Sequence, residues 1–195
     1  MAERLRGMGA RVLVTEVDGI KALEAFMDGF ELLPMLQAAL QGDVFLTCTG
    51  QIDVIRSEHF DKMKNGAVIG NVGHFDREID VVSLCKGRIK TLVRKNVERI
   101  EFNREKSLFL LCEGRVVNLV AAEGHPPEIM QLSFSNQLLS LYYLVENGKE
   151  LRSSKSKMLE FPKEIDKLVM TFAMKGFGIR IDNLTESQLY YAGSS

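Results

Sequence analysis

The sequence predicts an α/β fold in which a parallel sheet is flanked by helices. Three runs rich in apolar and β-branched residues, 10–16, 43–49 and 66–71, have the length and composition of buried strands. Segments with a helical spacing of apolar residues separate these runs, and the connections are short. Strands that alternate with helices in this way are typical of a parallel sheet covered on its faces.

The helices of this first half are indicated by the residues at their ends. Asp18 has the chemistry of an N-cap, and Gly29 closes the helix that follows it. A shorter helix is predicted over 34–40, where Gly42 stops it, and Ser57 is predicted to cap a third helix. Each predicted strand therefore leads into a helix through a short loop.

The second half of the sequence has a different pattern. Two strands are predicted at 90–102 and 107–111, joined by a polar turn. The segments predicted after them are a helix over 128–146, a charged and serine-rich linker at 149–157, a helix over 162–176 and a capped turn at 185–186.

Composition excludes several classes of function. The 195 residues are 46% hydrophobic and 26% charged, with a formal net charge of −1. Because no basic stripe and no long apolar run is present, we expect neither nucleic acid nor membrane as a partner. The first residues carry no secretory signal, and three cysteines match neither a zinc site nor a disulfide framework. A cytoplasmic protein without a metal is the expectation.

Glu16 comes at the end of the first predicted strand. In nucleotide-binding α/β folds an acid at the end of the second strand accepts hydrogen bonds from the adenosine ribose, and it favours NAD over NADP by repelling a 2′-phosphate. A solvent-facing acid at a strand end is the alternative interpretation. The glycine-rich phosphate loop, which should lie about 20 residues upstream, is not among the 15 residues before Glu16. We therefore expect the first strand of such a sheet to be absent from the chain.

Polar segments also follow the other two predicted strands. Thr47, Thr49 and Gly50 come where the second strand ends, and open α/β sheets bind ligands at the carboxyl ends of their strands. After the third strand, residues 71–80 combine His74 with carboxylates, one of which could orient the imidazole as a proton carrier. An ordinary turn and a structural histidine are the alternatives.

Asn118 and His125 are two further candidates. The planar amide of Asn118 offers the donor and the acceptor that a bound carboxamide requires. Gly124 precedes His125, and a glycine allows a ligand to approach the backbone closely. A turn asparagine and a histidine at a helix entry are the alternative interpretations.

Several segments together resemble the S-adenosyl-L-homocysteine hydrolase family. They are GARVLVTEVD at 9–18, MKNGAV at 63–68, NVGHFDREID at 71–80, EGRVVNL at 113–119, GHP at 124–126 and LTESQLYY at 184–191. The resemblance covers essentially the whole chain. It implies an NAD-dependent enzyme that reversibly hydrolyses S-adenosyl-L-homocysteine to adenosine and homocysteine through a 3′-keto intermediate.

The resemblance also implies a role for each candidate residue. Glu16 is expected to bind the adenosine ribose of NAD, Asn118 to hold its carboxamide, and His74 to be catalytic and to contact the substrate. The other implied cofactor-binding residues are Thr47, Thr49, Gly50, Val72 and Gly73. The other implied substrate-binding residues are Phe75, Glu113, His125, Met130 and Phe134.

Two parts of the family's protein are implied to be present. They are a partial NAD-binding domain of the Rossmann type over 1–124 and a helical segment over 125–195, which in the family packs on a substrate domain. The substrate domain itself is expected to be absent, and full-length members are homo-oligomers, tetramers in the family. Gln51 and Glu123 depart from residues common in the family.

Two other functions compete with this interpretation. A catalytically inactive remnant could serve as a binding or regulatory subunit for a full-length relative. A 2-hydroxy acid dehydrogenase would have a similar sheet, but its usual spacing of Arg, Glu and His has no counterpart in this sequence.

Overall fold

The computed structural model describes residues 1–148 and 162–193. The chain divides into two compact units, Met1–Gly124 and His125–Ser195. The linker predicted at 149–157 lies outside the described residues.

The first unit alternates short strands and helices. Its strands are β1 (Leu13–Val14), β2 (Glu31–Leu32), β3 (Val44–Thr47), β4 (Val68–Asn71), β5 (Ile89–Arg94), β6 (Val97–Glu101) and β7 (Ser107–Leu111). Its helices are α1 (Ala2–Gly7), α2 (Gly19–Met27), α3 (Met35–Gln41), α4 (Ser57–Phe60), α5 (Val81–Cys85) and α6 (Val117–Val120), with a 3₁₀ turn at Cys112–Gly114. The predicted α/β class is confirmed.

The strands form two separate sheets. β1 and β2 pair in parallel, and the larger sheet has the order β3-β4-β7-β6-β5. In the larger sheet β3, β4 and β7 pair in parallel, whereas β6 pairs antiparallel with both of its neighbours, β7 and β5. The sheet is therefore mixed, and its parallel part has the strand direction that the alternating pattern predicts.

A single apolar core holds the larger sheet to its helices. Ile69 of β4 lies beside Leu110 of β7, and Leu108 lies beside Ile100 of β6, all four of them fully buried. Phe60 at the end of α4 is also fully buried and belongs to the same cluster. Burial of a side chain of this size stabilises the fold by about 1.5–3 kcal/mol, so this core fixes the strands whose ends carry the site.

Two sequence-based assignments of strands need correction, and one strand was missed. The run 10–16 forms only the two-residue strand β1, and its partner β2 was not predicted. The run 90–102 is not one strand but the hairpin of β5 and β6, which turns at Asn96 with a φ of 62°. A left-handed backbone suits asparagine better than most residues, and this ends the strand.

The structure confirms the N-cap predicted at Asp18 but not the one predicted at Ser57. Asp18 caps α2, since its carboxylate accepts the backbone N–H groups of Ile20 and Lys21. The predicted cap by Ser57 is wrong: α4 begins at Ser57, and the Nδ1 atom of His59 accepts the N–H of Arg56 at 3.0 Å. His59 is buried, and this burial lowers the pKa of its imidazole.

The second unit is helical in the residues described. It contains α7 (Pro127–Glu146), α8 (Lys163–Phe177) and α9 (Glu186–Gly193). A proline precedes α8, and Gly178 ends it with a φ of 67°, a conformation that glycine adopts without strain. None of the described helices combines the length and the apolar character needed to cross a membrane.

Candidate functional site

The candidate site lies where the parallel strands of the larger sheet end. The loop after β3, residues 48–51, is called the Thr49 loop, and the loop after β4, residues 72–77, is called the His74 loop. The backbone N–H of Val72 donates to the carbonyl of Thr47 at 2.7 Å, and Asn71 forms a parallel bridge with Val116. The ends of β3 and β4 and the segment after β7 therefore meet at one edge.

Asn71 joins all three segments at this edge. It is fully buried, and its Oδ1 atom accepts the Thr47 hydroxyl at 3.3 Å and the Gly73 N–H at 2.9 Å. Its Nδ2 atom donates to the carbonyls of Phe75 and Gly114. All the hydrogen-bonding capacity of the amide is used by protein partners, one of which is the buried Thr47 hydroxyl. Asn71 therefore has a structural role, since it holds the three segments together.

Glu78 joins the Thr49 loop to the His74 loop. Its carboxylate is fully buried and accepts four hydrogen bonds, two on each oxygen. The Oε1 atom takes the N–H of Gly50 and the N–H of His74, both at 2.8 Å. The Oε2 atom takes the N–H of Thr49 at 2.9 Å and its hydroxyl at 3.1 Å. One oxygen atom therefore bridges the two loops directly.

This buried carboxylate is kept in its charged form by its donors. Burial by itself would raise the pKa of Glu78, but the N–H groups of Thr49, Gly50 and His74 outweigh burial and lower that pKa. Burial raises the pKa of the neighbouring Cys48 thiol, and the charge of Glu78 raises it further. The anion at this edge is thus Glu78, and the thiol beside it stays protonated at neutral pH.

The side chains of His74 and Phe75, both in the His74 loop, are exposed to solvent. Their rings meet edge to face with centroids 3.9 Å apart, and Phe75 is 68% exposed. Phe75 has a φ of 52°, which is strained for an aromatic residue, and the Asn71 amide holds its carbonyl. The hydrogen bond between Glu78 and His74 uses the His74 backbone. Glu78 therefore fixes the loop rather than orienting the imidazole, contrary to the expected role of a carboxylate here.

The segment after β7 adds Glu113 and Asn118 to the edge. Cys112, Glu113 and Gly114 have φ values of 52°, 58° and 85°, and this tight turn directs the Gly114 carbonyl to Asn71. Glu113 is exposed and pairs with Arg115 at 3.1 Å. The Oδ1 atom of Asn118 is buried and has no hydrogen-bond partner among the residues that the structure describes. A buried acceptor without a partner is costly for the fold, and a bound amide donor would satisfy it.

Glu16 lies beyond the smaller sheet, two residues after β1. It is exposed, and its Oε1 atom accepts the N–H groups of Val17 at 2.7 Å and Asp18 at 3.0 Å. These two bonds fix the acid in the turn that leads into α2. The remaining predicted residues, His125, Met130 and Phe134, belong to the second unit, and their contact with substrate stays a prediction.

Sequence reasoning missed Asn71 and Glu78 as members of this site. Both lie within the segment 71–80, which it had singled out for its histidine. The available signal was an amide at the end of an apolar strand and a carboxylate directly before the apolar Ile79. Both side chains are fully buried, and buried polar groups need partners.

The geometry is that of an α/β domain of the nucleotide-binding class, in which loops follow the carboxyl ends of parallel strands, the place where such folds bind ligands. Residues 1–124 match a family model described as "S-adenosyl-L-homocysteine hydrolase, NAD binding domain". The chain therefore belongs to the S-adenosyl-L-homocysteine hydrolase family, and NAD is the cofactor of the matched domain. The buried, unpartnered Asn118 oxygen fits such a cofactor.

Curated relatives extend the similarity to the whole chain. It is 50% identical to an adenosylhomocysteinase of Sulfurisphaera tokodaii over 98% of its own length. It is 51% identical to an adenosylhomocysteinase of Aquifex aeolicus over its full length, and 47% identical to one from a Nostoc species over 99%. The chain spans 46% of the length of the first two relatives and 45% of the third.

Proposed function

We propose that this chain is the cofactor-binding and C-terminal part of a cytoplasmic, homo-oligomeric adenosylhomocysteinase. The proposed reaction is the reversible hydrolysis of S-adenosyl-L-homocysteine to adenosine and L-homocysteine through a 3′-keto intermediate. The proposal rests on one observation. The Thr49 loop, the His74 loop and the segment after β7, which contains Asn118, meet at one edge of the sheet. Such an edge is where open α/β sheets bind dinucleotides and their substrates.

Asn118, Glu16 and His74 have separate tasks in this proposal. NAD, when bound, supplies the hydride acceptor for the ribose 3′ carbon. Asn118 offers its unpartnered oxygen to the carboxamide of the cofactor, and Glu16 accepts hydrogen bonds from the adenosine ribose and disfavours NADP. His74 is exposed beside the strand ends and can take or return a proton at the substrate ribose.

The other substrate-side residues extend this arrangement. Phe75 presents an exposed aromatic face beside His74, and Glu113 supports the turn after β7 through Arg115. In the second unit, His125 is proposed to contact the substrate on its adenine side, and Met130 and Phe134 are proposed to contact its far side. Since the chain spans less than half of its relatives, the remaining proton-transfer groups are proposed to lie in the other half.

Fusion to a substrate domain tests the proposed function. The 195 residues alone are expected to release no adenosine from S-adenosyl-L-homocysteine, because half of the proton-transfer groups are lacking. A hybrid protein is made by joining to this chain the part of the Aquifex aeolicus relative that the chain does not match, so that a substrate domain and the first strand with its glycine-rich loop are both supplied. This hybrid is expected to hydrolyse the substrate, measured by chromatography of adenosine. A folded hybrid that binds NAD but shows no turnover, while the intact relative is active, would favour the inactive remnant.

Asn118→Ala is expected to weaken binding of NAD by the hybrid protein. The carboxamide would lose a donor and an acceptor, about 1–3 kcal/mol or roughly 5- to 150-fold in the dissociation constant. Isothermal titration calorimetry with NAD measures this change in the dissociation constant. Asn103→Ala is the matched control, because Asn103 lies in the turn before β7, at the opposite end of that strand. Equal affinities of the two variants would contradict the assignment.

A further inference from the structure

The Glu78 carboxylate accepts four hydrogen bonds at the site, and the proposed reaction gives it no chemical step. It cannot reach solvent, and all of its described hydrogen bonds go to the Thr49 and His74 loops. A carboxylate has about four acceptor sites, and four donors fill them here. The group is therefore saturated by protein and is unavailable as an acid or a base.

The hydrogen bonds of Glu78 connect the Thr49 loop to the His74 loop, and these two loops have different proposed roles. Thr49 and Gly50 belong to the loop assigned to the cofactor, and His74 belongs to the loop assigned to the substrate. The Oε1 atom binds Gly50 N–H and His74 N–H at the same distance, 2.8 Å. Charge-assisted bonds of this kind are about twice as strong as neutral ones, so movement of one loop moves the other.

The bases of these loops are also held by bonds that do not involve the Glu78 side chain. The N–H of Asp53 donates to the carbonyl of Arg77 at 2.9 Å, and Ile55 N–H donates to the Glu78 carbonyl at 3.1 Å. Ile55 and Ile79 form a parallel bridge and are both buried. The core of the unit therefore persists without the carboxylate, whereas the relative placement of Gly50 and His74 depends on it.

We propose that Glu78 is a positioning residue that sets the cofactor-side loop and the substrate-side loop at a fixed spacing. This inference rests on the proposed function. Both the affinity for NAD and the rate of ribose oxidation depend on the carboxylate, although it touches neither cofactor nor substrate. Gly73 is required for the same arrangement, because a side chain at this position would occupy the space taken by the Oε1 atom of Glu78.

Glu78→Gln in the hybrid protein tests the proposal. The amide keeps the size of the side chain but replaces one acceptor atom by a donor, which then faces a backbone N–H. We expect the dissociation constant for NAD to rise roughly 10- to 100-fold. At saturating NAD and well below the melting temperature, the rate of oxidation of adenosine is expected to fall by a similar factor. A purely structural role would lower the melting temperature and leave that saturated rate unchanged.

Glu98→Gln is the matched control, because Glu98 is a second buried carboxylate of the same unit. It lies on β6 and pairs with Lys90 at 2.9 Å, outside the two loops. This variant is expected to lose stability while its affinity for NAD and its saturated rate stay within about twofold of the parent, since no loop contact changes. Equal losses in Glu98→Gln and Glu78→Gln would overturn the proposal.

The remaining outcomes are also decisive. A folded Glu78→Gln protein with NAD affinity and oxidation rate within about twofold of the parent overturns the proposal. If that variant does not fold, Glu78→Asp replaces it, and failure of both to fold shows a structural requirement instead of positioning. Failure of the parent hybrid to hydrolyse the substrate counts against the proposed function alone. The NAD titrations of the variants then still test Glu78.

Discussion

Gly73→Ala is expected to lower the free energy of unfolding of the hybrid protein by about 3–5 kcal/mol, the range for disrupting a buried charged network. A Cβ atom at this position would overlap Glu78 Oε1, lie 2.7 Å from its Cδ atom and lie 3.0 Å from the Cys48 Cα atom. The Glu78 carboxylate is held by four hydrogen bonds, and the atom of Cys48 nearest to the new Cβ atom belongs to the backbone. Neither neighbour can therefore move away without a large loss of stability. Urea unfolding measures the loss, and retention of NAD through gel filtration should be lost with it.

Two further variants isolate the cause of this loss. Gly19→Ala is the control, because a Cβ atom there meets no heavy atom within 4 Å. Addition of Gly73→Ala to a Glu78→Ala protein is expected to cost little more than Glu78→Ala alone, since the obstacle has been removed. Additive losses in that double variant, or a Gly73→Ala protein within about 1 kcal/mol of the parent, would contradict the steric explanation.

The sequence predicts the parallel part of the fold because that part is encoded locally. The runs that become β3 and β4 are short, apolar and bounded by turn residues, and Asp18 caps its helix through neighbours two and three residues away. Such signals can be recognised in the sequence because they depend on residues that are neighbours along the chain. The two strands that precede β7 in sequence, β5 and β6, were harder to separate. Apolar residues occur on both sides of the turn at Asn96, and no glycine or proline marks that turn in the sequence.

The candidate site was predictable only in its outline. Strand ends carrying Thr49, Gly50 and His74 could be recognised, because parallel strands place their carboxyl ends together. The connection between them could not, since Glu78 meets its partners Thr49 and Gly50 across 29 and 28 residues. A carboxylate beside a histidine suggests a catalytic pair from sequence alone. Only the tertiary structure shows that it binds the backbone instead.

The largest effect on catalysis is expected from His74→Ala. Removal of a proton-transferring side chain typically lowers a rate by about 10²- to 10⁴-fold, and we expect a loss in this range for oxidation of the ribose 3′-hydroxyl. Stopped-flow mixing of the NAD-loaded hybrid protein with adenosine follows this step through the absorbance of bound NADH. The imidazole is exposed, and its described contact is with the Phe75 ring, so stability should change little.

Arg77→Ala is the matched control for His74→Ala, because Arg77 is exposed in the same loop and its described hydrogen bond uses the backbone carbonyl. Its rate is expected to stay close to that of the parent. Binding of NAD should survive in both variants, because His74 serves the substrate side of the site. If His74→Ala abolished binding of NAD while Glu16→Ala left it unchanged, the cofactor would lie elsewhere along the edge. An unchanged rate of oxidation in His74→Ala would remove this histidine from the proposed mechanism.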